Sequence, residues 1–137
     1  MFSLILEPRF VETDALGHIN NTVLPQWFEQ ARTPLFKMFT PDLAIDKWVL
    51  ILAKIEVEFV RELFYAKEVE IKTYIEKVGN SSFVAYQEAW QQGTLGAKGR
   101  ATLVHFDHRQ KTSKPIPEEI KQIMQAHLNP MPLNSIV

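Results

Sequence analysis

Residues 13–22, TDALGHINNT, bring a carboxylate, a histidine, two asparagines and a glycine into ten positions. A carboxylate can act as a base or as a nucleophile. The start of a helix offers unpaired backbone N–H groups and partial positive charge to an oxyanion. Asp14 stands seven residues ahead of Asn21, where the sequence places the capping region of a helix. A carbonyl whose oxygen faced that helix start would present its carbon to Asp14, the pairing that hydrolysis of an activated acyl group needs. A thioester is activated enough to need no metal. The same residue types also serve ordinary structure, since Asp-x-x-Gly is turn chemistry and Asn before a helix is capping chemistry. On pattern alone the structural and catalytic readings stand level.

The elements around this stretch must position it. The first ten residues alternate loosely, with Leu4 and Leu6 set against Ile5 and Glu7, and read as a strand disturbed by Pro8. After the polar stretch, Leu24, Phe28, Ala31 and Leu35 recur at helical spacing, with Val23 and Trp27 beside them. So broad an apolar face predicts a deeply buried helix. Pro25 is tolerated in a first turn, which puts the helix start near Thr22. Pro34 predicts a kink, or a fresh start with Thr33 as cap and Pro34 at the first position. From Trp48 onward the period becomes two: Ile55, Val57 and Phe59 alternate with Lys54, Glu56 and Glu58, and Val69, Ile71, Thr73 and Ile75 with Glu68, Glu70, Lys72 and Tyr74. Gly79-Asn80 and Gln92-Gly93 mark turns around a strand at 82–90 and before one at roughly 95–106. Lys114-Pro115-Ile116-Pro117 ends the sheet, and Glu118 and Glu119 open a short amphipathic helix with Ile120, Ile123 and Met124. Short turns between consecutive strands predict an antiparallel meander, folded around the one long helix. The fold class is α+β.

The chain of 137 residues, 46% apolar, is most economically one domain, 1–137. A net charge of −1 argues against nucleic acid as a partner. With no cysteine there is no thiolate nucleophile or thiolate metal site, a composition that suits the cytoplasm. MFSLIL is too short for a signal peptide core, and no run approaches the ~20 apolar residues of a membrane-spanning helix. The expectation is a soluble cytoplasmic protein.

The segment RFVETDALGHINNTVLPQWFEQAR resembles the opening of the hot-dog-fold acyl-CoA thioesterases, the group that includes 4-hydroxybenzoyl-CoA thioesterase. Asp14-x-x-Gly17-His18-x-Asn20-Asn21 is most similar to the branch with an H-[VI]-N-N signature, shared with plant acyl-ACP thioesterases. The similarity continues through Phe28-Glu29-x-Ala31-Arg32, the strands, and Lys114-Pro115-x-Pro117. It implies a curved antiparallel five-stranded sheet wrapped around a long central helix. It also implies an acyl-CoA substrate, no cofactor, and a homodimer or homotetramer with active sites at the dimer interface. By the resemblance Asp14 is the catalytic carboxylate, as nucleophile or as base on water, and the backbone amide of Asn21 polarises the thioester carbonyl. His18 and Asn20 match signature positions and orient Asp14, a water or the loop; Gly17 permits close approach or positive φ. Three positions depart from the pattern: Leu16 replaces an Asn of the plant enzymes, Leu63-Phe64 stand where many relatives turn at a proline, and an aromatic near Leu24 is missing. An acyl-ACP thioesterase and a non-catalytic acyl-CoA-binding protein are the rival readings.

Other clusters are weaker. Gly93-x-x-Gly96-x-x-Gly99 lies in a turn and strand rather than ahead of a helix, so close strand packing explains it better than a phosphate loop. His105-x-Asp107-His108 lacks the further ligands of a metal site. Arg61, Lys98, Arg100, Lys111 and Lys114 are candidates for CoA phosphates, and each is also ordinary surface charge.

Overall fold

The computed structural model describes residues 1–128. Strand β1 (Phe2–Leu6) half-buries Phe2, Leu4 and Leu6 and exposes Ser3 and Ile5, as its alternation predicts. Beyond the polar stretch come helices α1 (Val23–Ala31) and α2 (Thr33–Phe39). Of the two outcomes that Pro34 allows, the fresh start is observed. Arg32, rather than Thr33, is the hinge that closes α1 and opens α2. Pro34 has no N–H for the Gln30 carbonyl, so the Thr33 hydroxyl donates to it at 2.9 Å. The Arg32 N–H turns to the Glu29 carbonyl, which releases the Phe28 carbonyl from its helical partner. The sheet supplies the missing donors: Gln87 Nε2 donates to Phe28 O at 2.8 Å, and the Thr73 hydroxyl to Ala31 O at 3.5 Å.

The sheet contains β1, β2 (Leu50–Phe59), β3 (Val69–Val78), β4 (Ser82–Gln91) and β5 (Thr94–Asp107), antiparallel in the order β1-β3-β4-β5-β2. The expected meander holds for β3, β4 and β5. It fails for β2, which pairs with β5 at the edge opposite β1 while residues 60–68 carry the chain back to β3. Periodicity marks a strand but does not name its neighbour. Placement at the edge also leaves the apolar face of β2 open, with Ile55 46% and Phe59 56% exposed. A two-residue strand, β6 (Thr112–Ser113), folds back onto Phe106 and Asp107, a pairing too short to leave a periodic signal. Helix α3 (Glu118–Gln125) follows the Pro-rich stop and buries Met124.

The sheet curls around α1 and α2 and encloses two cores in series. One joins α1 to Val69, Ile71, Ala89, Ala97 and Leu63; the other joins α2 and α3 to Ile75, Phe83, Ala85, Ala101 and Leu103. Between them lies a polar seam, in which Gln87 accepts from Arg32 Nη1 at 3.2 Å and donates to Thr73 Oγ1 at 3.0 Å. Gly99 lies on the same stretch of β5, and a Cβ there would come within 2.8 Å of the Phe28 ring. The close-packing reading of the glycine series holds at Gly99, and at Gly96 against Leu63. Among the described residues no helix is long and apolar enough to cross a membrane.

Candidate active site

The loop that carries Asp14 is a tight hairpin. Asp14 N–H donates to His18 O at 2.8 Å, and Gly17 takes φ +80° to close the turn. That angle disfavours any side chain with a Cβ, so positive φ, rather than close approach, is what Gly17 supplies. Asp14 Oδ1 accepts the backbone N–H groups of Leu16 at 2.8 Å and His18 at 3.0 Å. Both of these bonds fall on one oxygen. Among the described residues Oδ2 has no protein donor, so the carboxylate is anchored by one oxygen and available through the other.

The loop is joined to two other segments. Its return arm bonds to the connection between β2 and β3: Ile19 N–H donates to Leu63 O at 2.8 Å, and His18 forms a bridge with Phe64. The His18 ring stands edge-on to Phe64 and pairs through Nε2 with Glu62 Oε2 at 3.0 Å. Toward α1, the N-cap is Thr22, without a side-chain cap bond, rather than the expected Asn21, and Asn20 forms an Asx turn just ahead of it. Its side-chain oxygen accepts the Thr22 N–H at 3.0 Å and hydroxyl at 2.9 Å, while its carbonyl accepts the Val23 N–H at 3.0 Å. This Asx turn occupies the amides on either side of the helix start. The Asn21 N–H has no acceptor among the described residues and remains exposed at the positive end of α1.

Asp14, His18, Asn20 and Asn21 line one cleft of about 480 Å³. Its lining also includes Leu24 of α1, Phe59 through Glu62 at the end of β2 and just beyond it, and Gly96 and Ala97 of β5. The cleft thus holds an anchored carboxylate, an amide just ahead of the helix start with no acceptor among the described residues, and a lining that is part apolar and part charged. Of the cations expected to meet CoA phosphates, Arg61 is at this cleft. Lys98 and Arg100 stand apart from it, since alternation along β5 turns them from the face that bears Ala97 and Gly99. Lys98 is buried beside Glu58 at 3.6 Å, and Arg100 forks onto both carboxylate oxygens of Glu76 at 2.9 and 3.0 Å, over the Tyr86 ring. His105 faces the second core, with Nδ1 donating to Pro115 O at 3.0 Å.

Two acids near the cleft escaped the sequence reading. Glu62 lies in the segment flagged only for its lack of a proline, and its contact with His18 crosses 44 positions (62 minus 18). Glu12 is buried behind the loop and receives the Trp27 indole N–H at 2.9 Å. An acid fifteen residues from a tryptophan carries no local signal.

Comparison with known proteins adds to this geometry. The profile described as the thioesterase-like superfamily matches residues 8–124. A solved structure of a predicted thioesterase from Bacillus stearothermophilus is 39% identical, with a TM-score of 0.92 over 96% of this chain and 98% of that one. A thioesterase from Thermus thermophilus, solved in complex with coenzyme A and Zn, is 27% identical, with a TM-score of 0.81 over 90% of this chain and 97% of that one. The uncharacterized protein YsmA of Bacillus subtilis (strain 168) is 28% identical over 78 residues, 57% of this chain. That match spans about half of YsmA, 53% of its length.

Proposed function

Because the chain belongs to the thioesterase-like superfamily and has its hot-dog fold, we propose that it hydrolyses acyl-CoA thioesters to free CoA and a carboxylic acid. The observation that carries this reading is the shared cleft, lined both by Asp14, one of whose oxygens has no protein donor among the described residues, and by Asn21, whose N–H has no acceptor among them. A thioester carbonyl would place its oxygen at the Asn21 amide, where the positive end of α1 stabilises the charge that develops during attack. Asp14 then works in one of two ways. As a base it takes a proton from water while the water oxygen bonds to the carbonyl carbon. As a nucleophile it bonds to that carbon itself, and water later hydrolyses the anhydride. In both, the C–S bond breaks, sulfur leaves as thiolate and takes up a proton, and the acid is released. The role of His18 is to hold Asp14 through its backbone N–H, with its ring fixed by Glu62 and Phe64. Asn20 shapes the helix start. The presence of Arg61 in the lining of the cleft supports it as a partner for a CoA phosphate; the CoA complex of the Thermus thermophilus relative supports CoA as the carrier. The open edge and face of β2 support a second copy as a partner.

The test is thiol release from a panel of acyl-CoAs, short to long aliphatic and aromatic, with the same acyl groups offered on acyl carrier protein. Asp14→Asn is expected to lower kcat by at least about 100-fold, the scale of losing a group that acts on the reacting atoms, with an unchanged circular dichroism spectrum. The same preparation is expected to sediment as a dimer or larger. Acyl-CoA binding with no thiol release from any substrate would overturn hydrolysis, and wild-type turnover in Asp14→Asn would overturn the role of that carboxylate.

A further inference from the structure

Glu12 sits two positions ahead of Asp14 and is only 7% exposed; Trp27, on the buried side of α1, is 4% exposed. Glu12 Oε2 accepts the Trp27 indole N–H at 2.9 Å and the Arg9 guanidinium at 3.4 Å, and Oε1 accepts the Arg9 backbone N–H at 2.7 Å. The Glu12 carbonyl accepts the N–H of Asn20 at 2.8 Å, on the far side of the loop. One residue therefore ties both ends of the Asp14 loop together and fastens them to the body of α1, the helix that begins just after Asn21.

Stability alone does not explain this arrangement. Burying a charged carboxylate carries a desolvation cost, and apolar residues of similar volume often serve a core equally well. A hydrogen bond to an indole supplies something packing does not, namely a fixed direction and separation between two elements. We infer that the Glu12–Trp27 bond is a positioning clamp, holding the Asp14 carboxylate at its working distance from the Asn21 amide. This rests on the hydrolytic reading above. Glu12 and Trp27 act through Asp14 and do not touch the substrate.

Trp27→Phe keeps an aromatic ring in the core and removes only the donor, so it is the decisive variant; Glu12→Met, which removes the acceptor at similar volume, is its companion. Each is expected to lower kcat by about 10- to 100-fold, the loss that accompanies displacement of a reacting group by about an ångström, with KM unchanged. The double variant is expected to be no worse than the more damaged single, because both remove one interaction. Amide hydrogen exchange gives a readout free of turnover: exchange at Leu16 and His18, whose N–H groups hold Asp14, should speed up while β4 amides stay protected. A merely structural role predicts a lower Tm with wild-type kcat. Retained kcat in folded Trp27→Phe overturns the clamp. If the wild type itself releases no thiol, the hydrolytic reading falls, and unchanged exchange at Leu16 and His18 then overturns the clamp separately.

Discussion

Burial alone would raise the carboxyl of Glu12, yet the Arg9 backbone N–H, the Trp27 indole and the Arg9 guanidinium together hold it below its ordinary value of 4.5. A carboxyl whose folded value is depressed contributes stability that is complete above its unfolded value, and that contribution disappears as pH falls through the lowered folded value. Acid titration of Tm should therefore show a loss below about pH 4.5 that is smaller in Glu12→Gln, because the amide has no proton to gain. Equal acid sensitivity in the two proteins would show that Glu12 does not titrate with folding. At this scale the sequence reveals neighbours and conceals distant partners. Asp14, Gly17, His18, Asn20 and Asn21 lie within eight consecutive positions, so one short motif carries them to one hairpin and helix start. Which of two adjacent asparagines forms the Asx turn ahead of the Thr22 cap depends on a side-chain rotamer, and the motif does not encode that. Lys98 and Arg100 have the right charge, but their partners Glu58 and Glu76 lie 40 and 24 positions away (98 minus 58 and 100 minus 76).

Among the elements, a break beside Pro34 was legible because Pro34 removes a donor from any helix that contains it, though the hinge is Arg32 rather than Thr33. Its resolution was not, because the donors that replace the lost helical bonds come from Thr73 and Gln87 in the middle of two strands. A polar residue on the inward face of a strand reads locally as an interruption, when here it completes a helix end. The position of β2 was hidden for a related reason, since the partner of an edge strand is set by the whole sheet. The approach of α1 to β5 is tight enough to test. At Gly99 an added methyl group comes within 2.8 Å of the Phe28 ring, itself 2% exposed. Gly99→Ala should cost about 1–3 kcal/mol, as overpacking of a filled core does, measured by denaturant unfolding. A neutral result would mean that α1 can slide on the sheet.

Across the whole molecule the seam of Arg32, Gln87 and Thr73 separates a core under the cleft from a core under α2 and α3. Leu35 is fully buried in the second, away from Asp14 and Asn21. Leu35→Ala should lower stability by about 2–5 kcal/mol, as deletion of a core leucine does, while kcat and KM on the preferred thioester stay at wild-type values below the new Tm. A large change in kcat from this substitution would mean that the two cores are mechanically coupled through the seam. If they are not, the protein resembles a tool whose handle can be remade without regrinding the blade. Stabilising substitutions could be stacked around Met124, Ile116 and Phe83, and the reserve so created would let laboratory evolution accept destabilising changes in the lining of the cleft. New acyl preferences would then be sought at one end of the sheet while the other end carries the thermal load.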